Sequence, residues 1–212
     1  MNWSDEYLPL LLEVYYRKPE GVKPLYSRAL VDLSLELHVH PRLLYSELAA
    51  IRRCQRPTVQ RLLDKYSGSR RRLTRDVRRL RQMRGFGQGD AFFEGVGGEE
   101  PWEAEFRPVA EGSRFTPLAL TLVLDLYFRL SPATMCTATP DVREAARRLD
   151  VSAQDVVGVM QTYMTFDPYL ARRGHADATL TAPCRDIWQR HAGDDAEQLA
   201  TLAAQMWEYY KK

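Results

Sequence analysis

The sequence predicts an all-α fold made of two pseudo-repeated helical units, and three observations predict it. Apolar residues recur at three- and four-residue spacing, and no stretch alternates as a half-buried strand would. Capping side chains and helix-starting prolines stand in front of those stretches. The chain also matches itself without gaps at an offset of 112 residues.

Taken in order, the elements follow from that register. LPLLLEVYYR, Leu8 to Arg17, lies over LTLVLDLYFR, Leu120 to Arg129. Ser4 falls over Thr116, both suited to cap a helix start, and Pro117 fits the first helical position. Further on, LHVHPRLLYSEL, Leu37 to Leu48, falls over LDVSAQDVVGVM, Leu149 to Met160. Each copy therefore reads as a helix, a proline-containing loop and two helices joined by a tight turn. The first unit, residues 1–84, ends in an arginine-rich helix that Gly85 would stop. Residues 85–115 read as a linker, with seven glycines and seven acids against Arg107 and Arg114. Its six aromatics, Phe86, Phe92, Phe93, Trp102, Phe106 and Phe115, argue that it is docked. The second unit, residues 116–212, closes with a C-terminal helical cap: one helix near Thr181 to His191, then one opened by an Asp194-x-x-Glu197 capping box.

Composition excludes several classes. With 45% hydrophobic and 27% charged residues in 212, neither disorder nor a membrane span is expected. The first residues carry acids where an export signal would carry lysines, and Cys54, Cys136 and Cys184 are odd in number and far apart. Both features predict a cytoplasmic protein whose thiols are reduced, small and buried. Net charge is only +2, yet Arg42 to Arg84 holds fourteen Lys and Arg against three acids, an excess of eleven positive charges; the remainder carries −9. Such asymmetry points to a polyanionic partner, or to two parts of one fold attracting each other.

The segment REAARRLDVSAQDVVGVM, Arg143 to Met160, has Ala145 and Ala146 where two helices would cross, a Leu149-x-Val151-Ser152 turn, and inward-facing Val156 and Val159. On those residues it resembles the helix-turn-helix family of DNA-binding proteins. The resemblance implies a second helix whose N-terminal side chains read base edges. Asp150 replaces the family's turn glycine, and the outward positions Ala153, Gln154, Asp155, Gly158, Gln161 and Thr162 include no cation. A structural or protein-binding helical hairpin is the competing reading, favoured for this copy. The chain as a whole resembles bacterial proteins of unassigned function, which implies no activity.

The arginine run RRRLTRDVRRLRQMRG, Arg70 to Gly85, carries the chemistry. On a helical wheel Leu73, Val77 and Leu80 make an apolar edge opposite Arg71, Arg72, Arg75, Arg78 and Arg79. Eight arginines with one acid repel one another unless anions lie near, and a guanidinium meets phosphate through two hydrogen bonds. The linker acids Asp90, Glu94, Glu99, Glu100, Glu103 and Glu105 are the internal alternative. His38 and His40 lack companions for a metal site and read as a turn and its cap, while GFGQGD lacks the Gly-Lys-Ser/Thr ending of a phosphate loop. No catalytic, metal or cofactor set is expected. The predicted function is non-enzymatic nucleic-acid binding, in a regulatory setting and with a homodimer as one form, through Arg42, Arg52, Arg53, Arg56, Arg61, Lys65, Arg70, Arg71, Arg72, Arg75, Arg78 and Arg79. The alternative is an adaptor that sets the same face on an acidic protein.

Overall fold

A computed structural model describes residues 5–17, 24–54, 56–83, 86, 101–170, 174–193 and 195–211. Every regular element among them is helical. The chain divides into two compact units, 1–100 and 101–212. No helix among the described residues is long and apolar enough to cross a membrane.

In the first unit a 3-10 turn, Asp5–Tyr7, leads into α1, Leu8–Arg17. Then follow α2, Arg28–Leu37, α3, Pro41–Arg53, α4, Pro57–Ser67, and α5, Arg70–Arg81. α1 is the hub and packs against α2, α3 and α5. Leu8, Leu10, Leu11 and Leu12 are all buried, because a helix covered on three sides must be apolar around most of its circumference. They join Leu30, Leu33, Leu44, Ile51, Val59, Tyr66, Leu73 and Val77 in one core.

The second unit opens with a four-residue helix α6, Pro101–Ala104, followed by α7, Pro117–Arg129, and a 3-10 turn, Pro132–Thr134. Beyond these lie α8, Pro140–Leu149, α9, Ala153–Met164, α10, Thr181–His191, α11, Ala196–Met206, and a final 3-10 turn, Trp207–Tyr210. α7 packs against α8, α9, α10 and α11, and every residue from Leu118 to Tyr127 is buried. The polar groups on so enclosed a helix are satisfied locally: Thr121 Oγ1 donates to Pro117 O at 3.0 Å, and Asp125 meets Arg129 at 2.9 Å. Tyr163 donates its buried hydroxyl to Leu120 O at 3.0 Å. Thr116 Oγ1 accepts from Ala119 N at 3.1 Å, which caps α7 ahead of Pro117.

Positions 112 apart carry similar local structure. α2 and α8 share both bounds at that offset, and α3 and α9 begin at matching residues. The turns agree as well. His38 and Asp150 take the left-handed conformation, with φ of 52° and 60°, and Val39 N and Val151 N donate back to Ser34 O and Ala146 O, both at 3.0 Å. Glu13 with Arg17 and Asp125 with Arg129 form the same one-turn ion pair. Those two arginines therefore each bond a carboxylate one turn earlier on their own helix.

Residues 101–115 pack within the second unit. The Phe106 ring lies 5.2 Å from that of Tyr209, Leu118 N donates to Glu105 O at 3.1 Å, Glu105 pairs with Arg190, and Phe115 is buried. Gly112 turns this segment at φ 77°, where a side chain would be strained. Phe92, Phe93, Gly85, Ser4 and Asp194 lie outside the described residues. The cap seen on α11 is Asp195, whose carboxylate accepts from Glu197 N at 3.2 Å.

The thiols differ from expectation in two of three cases. Only Cys184 is buried. Cys54 is the left-handed C-cap of α3, where the chain leaves the helix, and Cys136 sits in the loop before α8 with Sγ 3.5 Å from Thr139 Oγ1. Burial pushes the Cys184 thiol up to about 12, so it stays protonated and covered at pH 8. A thiol-specific chromogenic reagent at pH 8 is expected to titrate Cys54 and Cys136 promptly and Cys184 only after unfolding. Prompt reaction of all three would show that α10 is not seated as described.

Candidate nucleic-acid interface

α5 forms because Ser69 caps it and two side chains anchor it. Ser69 Oγ accepts from Arg72 N at 3.3 Å, while Leu73 and Val77 are fully buried and Leu80 half-buried. At about 100° per residue, Arg71, Arg72, Arg75, Arg78 and Arg79 fall in an arc of roughly 120° opposite that anchor. All five are exposed.

Acids within the first unit neutralise a specific subset of its cations. Arg81 grips Glu36 through Nε at 2.5 Å and Nη2 at 2.9 Å, and reaches Glu13 through Nη1 at 3.4 Å. The Glu36 hydrogen bonds, then the two carboxylate charges, raise the Arg81 guanidinium further above its ordinary value. Asp76 accepts from the Tyr66 hydroxyl at 2.9 Å and lies 3.5 Å from Lys65 and 3.9 Å from Arg75. That hydroxyl first, then Lys65, holds the Asp76 carboxyl below the usual carboxylate range. Arg56 is half-buried between Glu47 and Asp5, the latter at 3.4 Å.

The twelve nominated cations thus sort by environment. Arg56, Lys65 and Arg75 have carboxylate partners, and Arg70 lies 5.8 Å over the Tyr16 ring. The other eight, Arg42, Arg52, Arg53, Arg61, Arg71, Arg72, Arg78 and Arg79, are exposed, with no carboxylate within 4.0 Å among the described residues. Of the linker acids, Glu103 meets Arg107 at 3.5 Å and Glu105 meets Arg190, both in the second unit. Asp90, Glu94, Glu99 and Glu100 lie outside the described residues.

The helix pair in the second unit offers different chemistry. Ser152 and Asp155 form a reciprocal capping box on α9, which occupies the carboxylate at the helix start. Seven of its twelve residues are buried. Thr162 is one of them, placed outward by the wheel yet buried here: Oγ1 donates to Gly158 O at 3.0 Å and accepts from Asp177 N at 3.2 Å. On α8, Arg147 pairs with Glu144 at 2.7 Å, and Arg148 donates to Trp207 O at 2.8 Å while lying 4.1 Å over that indole. In the first unit the histidines are structural: His38 is the left-handed cap of α2, and His40 Nδ1 accepts from Arg42 N at 3.1 Å.

Comparison of the chain with protein-family models, with curated proteins and with solved structures finds no match.

Sequence reasoning did not identify Glu13, Glu36, Asp5 and Glu47 as partners that take cations out of the exposed set. Asp5 and Arg56 are 51 residues apart, and Glu13 and Arg81 are 68 apart, so no local spacing announces either pair. The difference has a measurable consequence. Arg81→Ala is expected to lower stability by up to about 1 kcal/mol, because it strips Glu36 of its partner and leaves Glu13 with Arg17 alone, whereas Arg78→Ala should fall within roughly 0.5 kcal/mol of wild type. Equal losses in urea titrations would contradict the division into anchoring and free arginines.

Proposed function

We propose that the protein binds nucleic acid without enzymatic chemistry, using the exposed arginines of its first unit. One observation carries the reading: eight arginines on α3, α4 and α5 stand in solvent with no carboxylate partner among the described residues, while neighbouring cations are paired. A fold that places acids beside Arg81 and Arg56 yet leaves these eight bare keeps their charge for an external anion. Phosphate suits them, because the planar guanidinium binds it through two hydrogen bonds and stays charged at every physiological pH. The two units, in this reading, are diverged copies of one helical unit, which is supported by the matching turns at His38 and Asp150. The second copy is assigned packing or self-association, in keeping with the burial of α9 and the pairing of Arg147 and Arg148.

The expected behaviour is a steep loss of affinity with salt that depends on α5. Each phosphate contact removed should flatten the slope of log K against log salt by roughly 0.9 for duplex DNA, so the Arg71→Ala, Arg72→Ala, Arg78→Ala, Arg79→Ala protein should lose about 3 to 4 units. Its circular dichroism should match wild type, and its melting temperature should equal or exceed that of wild type, because the four substitutions remove all five repulsive arginine pairs of α5. Wild-type protein that binds no nucleic acid even at low salt overturns the proposal and favours an acidic protein as the partner of this face.

A further inference from the structure

Resting on that reading, we infer that the first unit recognises double-stranded nucleic acid by its phosphate backbone, without regard to base sequence. The arginines of α5 form an ordered row. From Arg71 to Arg79 the helix axis rises about 12 Å, and the five side chains leave the helix within one arc, so their points of attachment are set before any ligand arrives. A duplex presents an equally regular line of charge, about one phosphate per 1.7 Å of axis, and meets such an array without being reordered.

Four polar side chains between the arginines bond back to the protein. Ser46 Oγ donates to Leu43 O at 2.7 Å, Ser67 Oγ to Asp64 O at 3.0 Å, and Thr74 Oγ1 to Arg70 O at 3.2 Å. Gln60 Nε2 donates to Asp64 Oδ1 at 2.9 Å. Hydroxyl and amide groups are among those that read base edges, and here the three hydroxyl donors are committed to main-chain carbonyls and one Gln60 amide hydrogen to Asp64.

Single strands are usually held by stacking bases on presented rings. Among the described residues of this unit, Tyr7, Tyr15, Tyr16, Tyr45, Tyr66 and Phe86 are packed into or against the core instead. Tyr66 is buried with its hydroxyl on Asp76, the Tyr7 and Phe86 rings meet at 6.4 Å, and those of Tyr15 and Tyr16 meet at 5.6 Å. Arg70 covers the Tyr16 ring.

Fluorescence anisotropy on the full chain tests this directly, with two labelled 20-base-pair DNA duplexes of unrelated sequence, a 20-base-pair RNA duplex, and the matching single strands. The two DNA duplexes should bind within about threefold of each other, and single strands at least about tenfold more weakly. The Arg71→Ala, Arg72→Ala, Arg78→Ala, Arg79→Ala protein, shown folded by circular dichroism, should lose the preference for duplex. Single strands that bind as tightly as duplexes, or one sequence preferred more than about tenfold, overturn the inference while leaving nucleic-acid binding intact. Absence of binding to every probe overturns both.

Discussion

The first unit depends on how a helix of seven arginines and one acid stays in place. Five of its arginine pairs stand three or four residues apart, and each costs about 0.2–0.5 kcal/mol, so the repulsion totals roughly 1–2.5 kcal/mol. Full burial of Leu73 and Val77 returns about 1.5–3 kcal/mol each, and Arg81 adds its grip on Glu36 and Glu13. Burial wins, and the helix forms without a ligand. The repulsion nevertheless persists on its outer face, where an anion would relieve it. Anchoring groups and unpaired charge are thus separated around one helix: apolar seam inward, Arg81 at the last turn, exposed guanidiniums outward.

That separation also explains why the two units, alike in local structure, differ in surface chemistry. Arg42 and Arg53 in the first unit stand where Gln154 and Thr165 stand in the second, and Glu36 stands where Arg148 does. In the first unit an acid at that position receives Arg81 from α5; in the second, an arginine there turns onto Trp207 at the end of α11. Each arrangement ties the helix before the left-handed turn, α2 or α8, to a later element of its unit. Among the described residues, the first leaves a row of exposed cations over. On the duplication we propose, one packing solution was kept while the charge of the closing element changed.

Much of the fold was legible because helix starts are local chemistry. Thr116 with Pro117, and His40 with Pro41, mark their helices by side-chain oxygen or nitrogen and by fixed φ, and both act as caps. The apolar edge of α5 was equally legible from spacing, since Leu73 and Val77 fall one turn apart. What lay beyond the sequence was tertiary. Thr162 reads as outward on a wheel that assumes one buried stripe, but α9 packs against α7, α8 and α10. Arg56 and Arg78 are indistinguishable as letters, and only the approach of Asp5 and Glu47 separates them. Cys54 is exposed because it ends a helix in the left-handed region, a conformation its residue type does not advertise.

Residue-resolved protection of arginine tests the central claim most directly. The full chain is treated with an arginine-selective dicarbonyl reagent, with and without a DNA duplex, and modification at each site is read by mass spectrometry. The account predicts that the duplex shields Arg71, Arg72, Arg78 and Arg79, and leaves exposed Arg129 and Arg147 in the second unit unchanged. Equal modification of the four α5 arginines with and without duplex, or protection confined to the second unit, would contradict it.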